Sequence, residues 1–203
     1  MKLYYAPGAC SLSPHIVLRE AGLNFDVEKV DLKAKQTEKG ADFNKINPKG
    51  QVPALQLDNG EVLTEGPVIV QYISDQKPAA GLTGAAGTME RYRVQEWLNH
   101  ITSELHKGFS PLFYPATPDA YKDIARANLG KKFDALDKHV TGKQYLAGDK
   151  FTAADAYLFT VLNWGKFTGV DISKWTNLSA YHARVGARPK VQEALKAEGL
   201  VKH

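Results

Sequence analysis

Asn47-Pro48-Lys49-Gly50-Gln51-Val52-Pro53-Ala54-Leu55-Gln56-Leu57-Asp58-Asn59-Gly60-Glu61-Val62-Leu63-Thr64-Glu65-Gly66-Pro67 is the stretch that decides the fold of this 203-residue chain. Two short apolar runs flank Asn59-Gly60, a dipeptide that favours a hairpin because both of its residues accept positive φ. Residues 54–57 and 61–64 are therefore expected as antiparallel partners. Pro53 stands where the first of these strands begins, and a proline cannot donate to a sheet ladder. It belongs at an edge or a tight turn, where a cis bond is accessible. Val52 before it then keeps a backbone N–H and C=O free to pair with an extended peptide. Thr64-Glu65-Gly66-Pro67 turns strand into helix. Pro67 suits the first helical position, and the unpaired amides beside it favour an anion. One small surface thus offers backbone pairing, a carboxylate for an ammonium and amide donors for a carboxylate.

Upstream of that stretch, Leu3-Tyr4-Tyr5 reads as a short apolar strand stopped by Pro7-Gly8. Ser11-Leu12-Ser13-Pro14 opens a helix with serine caps and an early proline, and Gly22 suits its C-terminal cap. The alternation of Phe25-Asp26-Val27-Glu28-Lys29-Val30-Asp31 predicts a half-buried strand, which completes a βαβ unit with parallel strands. Residues 33–45 are polar and predict a loop, with a short helix near 42–46. The hairpin follows, and Val68-Ile69-Val70-Gln71-Tyr72-Ile73 makes a closing helix. The order βαβ then ββα is that of a thioredoxin-like α/β domain with four strands, over residues 1–80.

Pro78-Ala79-Ala80-Gly81-Leu82-Thr83-Gly84-Ala85-Ala86-Gly87 is a small-residue linker. The period beyond it is helical throughout, so residues 88–203 are expected to form an all-α bundle. Val94, Trp97, Leu98, Ile101 and Leu105 mark one stripe of its first helix. A second long helix is expected over 121–140. Thr152-Ala153-Ala154-Asp155 is a capping box with Asp in place of Glu. It opens Ala156-Tyr157-Leu158-Phe159-Thr160-Val161-Leu162, which is apolar nearly all round and so predicts a buried central helix. Shorter helices over 178–185 and 191–195 close the chain.

Lys+Arg against Asp+Glu number 9 and 10 in residues 1–80 and 17 and 12 in 81–203, with the lysines scattered. That pattern predicts a solvated surface and no nucleic-acid partner. No membrane-length apolar run and no signal peptide is read from the sequence. The single cysteine excludes an intramolecular disulfide framework, and a cytoplasmic protein is expected.

That cysteine, Cys10, sits just before a helix start, where the dipole favours a thiolate. The plain alternative is a small buried hydrophobe. The local pattern Cys10-Ser11-Leu12-Ser13 has serine where a dithiol oxidoreductase has its resolving cysteine, so it points to chemistry with an external thiol. On the long helix, Asn99, Ser103, His106 and Lys107 are expected on one polar face at about 3.6 residues per turn.

Cys10, Asn47-Pro48-Lys49-Gly50-Gln51-Val52-Pro53, Thr64-Glu65-Gly66, Glu104-Leu105-His106-Lys107-Gly108-Phe109 and Phe151-Thr152 through Thr160 together resemble the beta-class bacterial glutathione transferases, over the whole chain. The resemblance implies the architecture of the cytosolic glutathione transferases, with glutathione as co-substrate and no metal. Cys10 and His106 would face the sulfur as catalytic residues. Lys35 would pair with the glycyl carboxylate, with Lys33 as its rival. Gln51, Val52 and Pro53 would hold the peptide backbone, and Glu65 and Gly66 the γ-glutamyl end. Asn99, Ser103, Glu104 and Lys107 would add to the site, partly from the neighbouring subunit of a homodimer. Tyr5 either reaches the sulfur, as tyrosines do in other transferase classes, or is strand core. The implied reaction joins glutathione to small hydrophobic electrophiles, a detoxification chemistry. A glutathione-dependent thiol reductase or dehalogenase working through a Cys10 mixed disulfide, and a non-catalytic hydrophobic ligand carrier, stand as alternatives. Phe109, Phe113, Tyr114, Trp164 and Phe167 are candidates for the apolar pocket.

Overall fold

The computed structural model describes residues 1–201, which fall into two compact units. The first comprises Met1–Thr83 together with the chain from Arg188 onward, and the second Gly84–Ala187. The division between Thr83 and Gly84 lies inside the small-residue segment expected as a linker. The return of the C-terminal helix to the first unit was not legible in the sequence.

The first unit is built on β1 (Lys2–Tyr5), α1 (Leu12–Ala21) and β2 (Asp26–Asp31), with β1 and β2 parallel. A fifth strand that the polar loop concealed, β3 (Gln36–Thr37), pairs antiparallel with β2. One helical turn, α2 (Phe43–Ile46), follows, capped by the Asp42 carboxylate on the Asn44 N–H. Next come β4 (Ala54–Gln56) and β5 (Val62–Thr64), then α3 (Gly66–Gln76), so the sheet runs β3-β2-β1-β4-β5. The expected hairpin is present, with Leu55 opposite Leu63, but its turn differs. The Gly60 N–H bonds the Leu57 carbonyl and only Gly60 takes positive φ, at 89°. This is a three-residue loop that closes on a left-handed glycine, so Asn59 need not take positive φ.

Inward-facing Leu3, Leu55, Ile16, Leu18, Ile69 and Ile73 are fully buried and join α1 and α3 to the sheet. β2 departs from the alternation read in the sequence: its buried residues are Glu28 and Val30, which lie on the Tyr4 face of the sheet, opposite Leu3. Glu28 is tolerated there because Lys2 donates to it at 2.9 Å. Burial pushes its carboxyl pKa up, but hydrogen bonds from Thr37 and Lys2 outweigh that and hold it below the ordinary value. α10 (Pro189–Ala197) packs on α1, and Arg188 makes a bidentate pair with Glu20 at 2.7 and 2.8 Å.

In the second unit, α4 (Met89–His100) continues through Ile101–His106 into α5 (Lys107–Phe113). The middle segment is π-helical: the Lys107 N–H reaches back five residues to the Thr102 carbonyl. α6 (Asp119–Val140) is the long helix expected over 121–140. α7 (Ala153–Leu162) is buried at every position, as its all-round apolar sequence predicts. A single turn α8 (Gly165–Thr168) and α9 (Thr176–Gly186) complete the unit. No described helix is long and apolar enough to cross a membrane.

Candidate functional site

In the first unit the residues expected to bind a peptide gather about one loop. Asn47 is 2% exposed; its side-chain amide donates to the Gln51 carbonyl at 2.7 Å, while its Oδ1 accepts from the Lys49 N–H at 3.1 Å. This clasp shapes residues 47–51. Gly50 sits in it at φ 60°, a conformation that favours glycine, and a Cβ there would press on Asn44 Oδ1 at 3.0 Å. Lys35 reaches across to donate to the Gly50 carbonyl at 2.7 Å. Lys33, by contrast, is exposed, and its N–H caps Asp31. Of the two rival lysines, Lys35 is the one placed beside the 47–51 loop.

Val52 is buried and its bond to Pro53 is cis. The Val52 N–H has no hydrogen-bond partner among the described residues, whereas its carbonyl accepts the Cys10 thiol at 3.2 Å. Half of the expected backbone pair is therefore free, and the other half is engaged by the cysteine. Gln51 is exposed, as is Glu65 at the start of α3. Glu65 takes φ 67°, one of two positive-φ residues other than glycine among the described residues, the second being Lys35 at 56°. Non-glycine residues in that region cost roughly 1–3 kcal/mol and collect at functional sites. The Glu65 carboxylate is 2.7 Å from Lys49, which also donates to Thr64. Sequence reasoning missed Lys49. The Gly66 N–H, first in α3, has no partner among the described residues and is available to an anion.

Cys10 is half-buried and lies just before Ser11, the N-cap residue of α1. Ser11 behind it is fully buried: its hydroxyl donates to the Ala6 carbonyl at 3.2 Å and accepts the Ala6 N–H at 3.1 Å, which fixes the turn that presents the cysteine. The C-terminal segment holds the same loop, because Glu198 accepts the Gly8 N–H at 2.9 Å while also engaging His15 at 2.8 Å. Tyr5 is strand core at 8% exposure, its ring 6.0 Å from that of His15. Burial, then the nearby Glu198 and Glu38, push its phenol pKa upward.

In the second unit, Asn99, Ser103 and Lys107 are exposed, while His106 is half-buried. The four do not share one face, contrary to the helical-wheel reading. An α-helix would carry His106 to within about 60° of Ser103, but the wider π-turn leaves it further round. There its Nδ1 lies 2.6 Å from the Tyr157 hydroxyl of α7, and the Trp164 ring stands edge-on at 4.7 Å. Glu104 pairs with Lys132 at 2.7 Å, a contact that holds its carboxyl pKa below the ordinary value. Of the candidate apolar residues, Phe109 and Trp164 are buried, whereas Phe113, Tyr114 and Phe167 are 48%, 65% and 78% exposed. Phe113 and Phe109 both pack edge-on against Trp164, at 5.5 and 5.8 Å. The unit therefore carries an exposed aromatic ledge on a buried base. Among the described residues no group of three or more His, Cys, Asp or Glu is arranged to hold a metal ion.

Comparison with known proteins matches residues 8–76 to the glutathione S-transferase N-terminal domain and residues 100–189 to the C-terminal domain. Glutathione S-transferase GstA of Escherichia coli O157:H7 is 48% identical over 200 residues, covering 98% of this chain and 100% of that protein. A sphingomonad glutathione S-transferase solved in complex with glutathione is 49% identical with a TM-score of 0.95, over 99% of this chain and 100% of that one. The bacterial beta-class enzyme of Sphingomonas chungbukensis is 51% identical with a TM-score of 0.96, again over 99% and 100% of the two chains. Identity and fold agree over the full length on both sides of each comparison, and the chain belongs to the bacterial beta class of the glutathione S-transferase family.

Proposed function

We propose that this chain binds glutathione in an extended form on the Val52 edge, promotes its thiol to thiolate and joins it to electrophilic carbon in small apolar compounds. The observation that carries the reading is the free Val52 N–H beside the Cys10 thiol, flanked by Lys35 on one side and by Glu65 and Gly66 on the other. The peptide carbonyl of the cysteinyl residue would accept from the Val52 N–H. Lys35 would meet the glycyl carboxylate, and the Gly66 N–H at the start of α3 the γ-glutamyl carboxylate. Glu65 would take the γ-glutamyl ammonium in place of Lys49. An exposed pair of that kind is worth only about 0–1 kcal/mol, so the exchange costs little. Gln51 and Pro53 shape the edge, with Tyr5 as core beneath it. Cys10 and His106 act at the sulfur.

The thiolate is the nucleophile, so every donor aimed at the sulfur raises the reactive fraction at neutral pH. Fixing both ends of the peptide converts the encounter with the electrophile into a positioned reaction. The ledge of Phe113, Tyr114 and Phe167 suits an apolar co-substrate. Asn99, Ser103, Glu104 and Lys107 supply further polar groups, partly across a homodimer, and the physiological setting is detoxification in the cytoplasm. Light scattering at micromolar protein concentration tests the dimer, and a fully active monomer would refute it.

Glutathione with a chromogenic aryl halide, run beside a mixed-disulfide reductase assay, tests the activity. Conjugation is expected in the wild type and, in reduced measure, in Cys10→Ala, because the backbone donors still place glutathione. Turnover confined to the disulfide assay and abolished in Cys10→Ala would overturn the reading in favour of thiol exchange. Ligand binding without turnover in either assay would overturn it in favour of a carrier.

A further inference from the structure

His106 has one ring nitrogen already committed. Its Nδ1 lies 2.6 Å from the hydroxyl of Tyr157, which is 3% exposed in the middle of the all-buried α7. The Trp164 ring stands edge-on to the imidazole at 4.7 Å, so the ring is held on two sides by the same stretch of chain. The π-turn of Ile101–His106 is what brings the histidine to that stretch, and single π-turns of this kind recur at functional positions.

The chemistry of the contact decides the tautomer. A phenol, with an ordinary pKa of about 10, is a far stronger acid than a neutral imidazole N–H, and imidazole nitrogen is a better acceptor than a phenol oxygen. The favoured arrangement has the Tyr157 O–H donating to Nδ1, which places the ring's only proton on Nε2. A carboxylate at Nδ1 would impose the opposite tautomer, and His15 of this chain is so arranged. Its Nδ1 is 2.8 Å from Glu198, and its Nε2 accepts from Arg19 at 3.1 Å. The carboxylates of the Ile101–His106 segment and of α7 are otherwise engaged: Glu104 is held by Lys132 of α6, and Asp155 by Thr152, Leu146 and Tyr181. Lys107, the next residue in the chain, is a cation and cannot accept a proton from the ring.

We propose that Tyr157 is a positioning residue: by donating to Nδ1 it holds His106 with its N–H on Nε2, so that the histidine stabilises a thiolate as a hydrogen-bond donor and does not remove the thiol proton as a base. The inference rests on the proposed function for the part played at the sulfur, but the tautomer itself is a property of the free protein.

Two measurements keep the parts separate. Nitrogen NMR of histidine-labelled protein without glutathione should show His106 protonated on Nε2 and bare on Nδ1 in the wild type, with the two tautomers mixed in Tyr157→Phe. Ultraviolet titration of bound glutathione should show its thiol pKa raised by about half to one unit in Tyr157→Phe, and by at least as much in His106→Asn. Glutathione affinity by calorimetry should stay within about twofold of wild type in Tyr157→Phe, and conjugation at neutral pH should fall about three- to tenfold. An Nδ1–H tautomer in the wild type, or a Tyr157→Phe thiol pKa equal to wild type while His106→Asn raises it, overturns the proposal. A thiol pKa unmoved in His106→Asn overturns instead the placing of His106 at the sulfur, whatever the tautomer.

Discussion

Replacing Asp155 with alanine should cost the helical unit several kcal/mol of stability. The carboxylate is fully buried at the start of α7 and accepts four hydrogen bonds. They come from the Leu146 N–H at 2.8 Å, the Thr152 N–H at 2.8 Å, the Thr152 hydroxyl at 2.8 Å and the Tyr181 hydroxyl at 2.7 Å. Loss of the cap contact costs about 1 kcal/mol. The Leu146 N–H and Tyr181 O–H would be left buried without an acceptor, at roughly 1–3 kcal/mol each, for a gross loss of about 3–7 kcal/mol. Relief from burying a carboxylate offsets part of this, so a net loss of about 2–5 kcal/mol is expected, against a usual domain stability of about 5–15. Asp155→Asn should cost less. Its amide nitrogen can face the Thr152 hydroxyl, which turns to accept, and only the Thr152 N–H is then opposed by a donor. Urea denaturation followed by far-ultraviolet circular dichroism measures both. A loss below about 1 kcal/mol for the alanine variant would refute the reasoning, since it would mean that the orphaned donors find water or new partners.

The acid side of the stability curve should carry a signature of His182. Burial, and secondarily Lys166, hold its pKa down to about 4 from 6.5, and its ring stacks on Phe159 at 4.8 Å. The native state keeps this histidine neutral where the unfolded chain protonates it, so stability should fall as pH drops from 6.5 to 4, by up to about 3 kcal/mol. Denaturation midpoints measured across that window should slope less in His182→Gln, and identical slopes would remove the assignment. At the binding edge, Lys35→Ala should weaken glutathione binding roughly tenfold, corresponding to one charge-assisted contact, and Lys33→Ala by less than about twofold. Calorimetry that found equal losses would mean that the glycyl carboxylate is not met by Lys35.

The sequence was most legible where local chemistry has few solutions. Pro53 before the hairpin, Asn59-Gly60 within it and the Thr152–Asp155 box each permit few backbone arrangements, and the structure has the strand, the turn and the cap at those places. The details that escaped depend on contacts distant in sequence. Glu28 is buried on β2 because Lys2 and Thr37 meet it there, and no pattern within β2 reveals that. β3 is two residues long, too short for any period to register. The π-turn before His106 has no signature in the local pattern and defeats an argument that assumes about 3.6 residues per turn. The Lys49–Glu65 pair joins residues that only the hairpin brings together. The return of Arg188 onward to α1 is likewise a tertiary fact.

Backbone amide NMR during a glutathione titration tests the central claim most directly. Val52 and Gly66 carry amide protons that lack a partner among the described residues, and the account has glutathione accepted there. Those two resonances should move most and saturate together, and the shift at Gly66 should be lost first when a glutathione analogue lacking the γ-glutamyl carboxylate is used. Saturable binding that left both amides unmoved would contradict the account and place glutathione elsewhere on the chain.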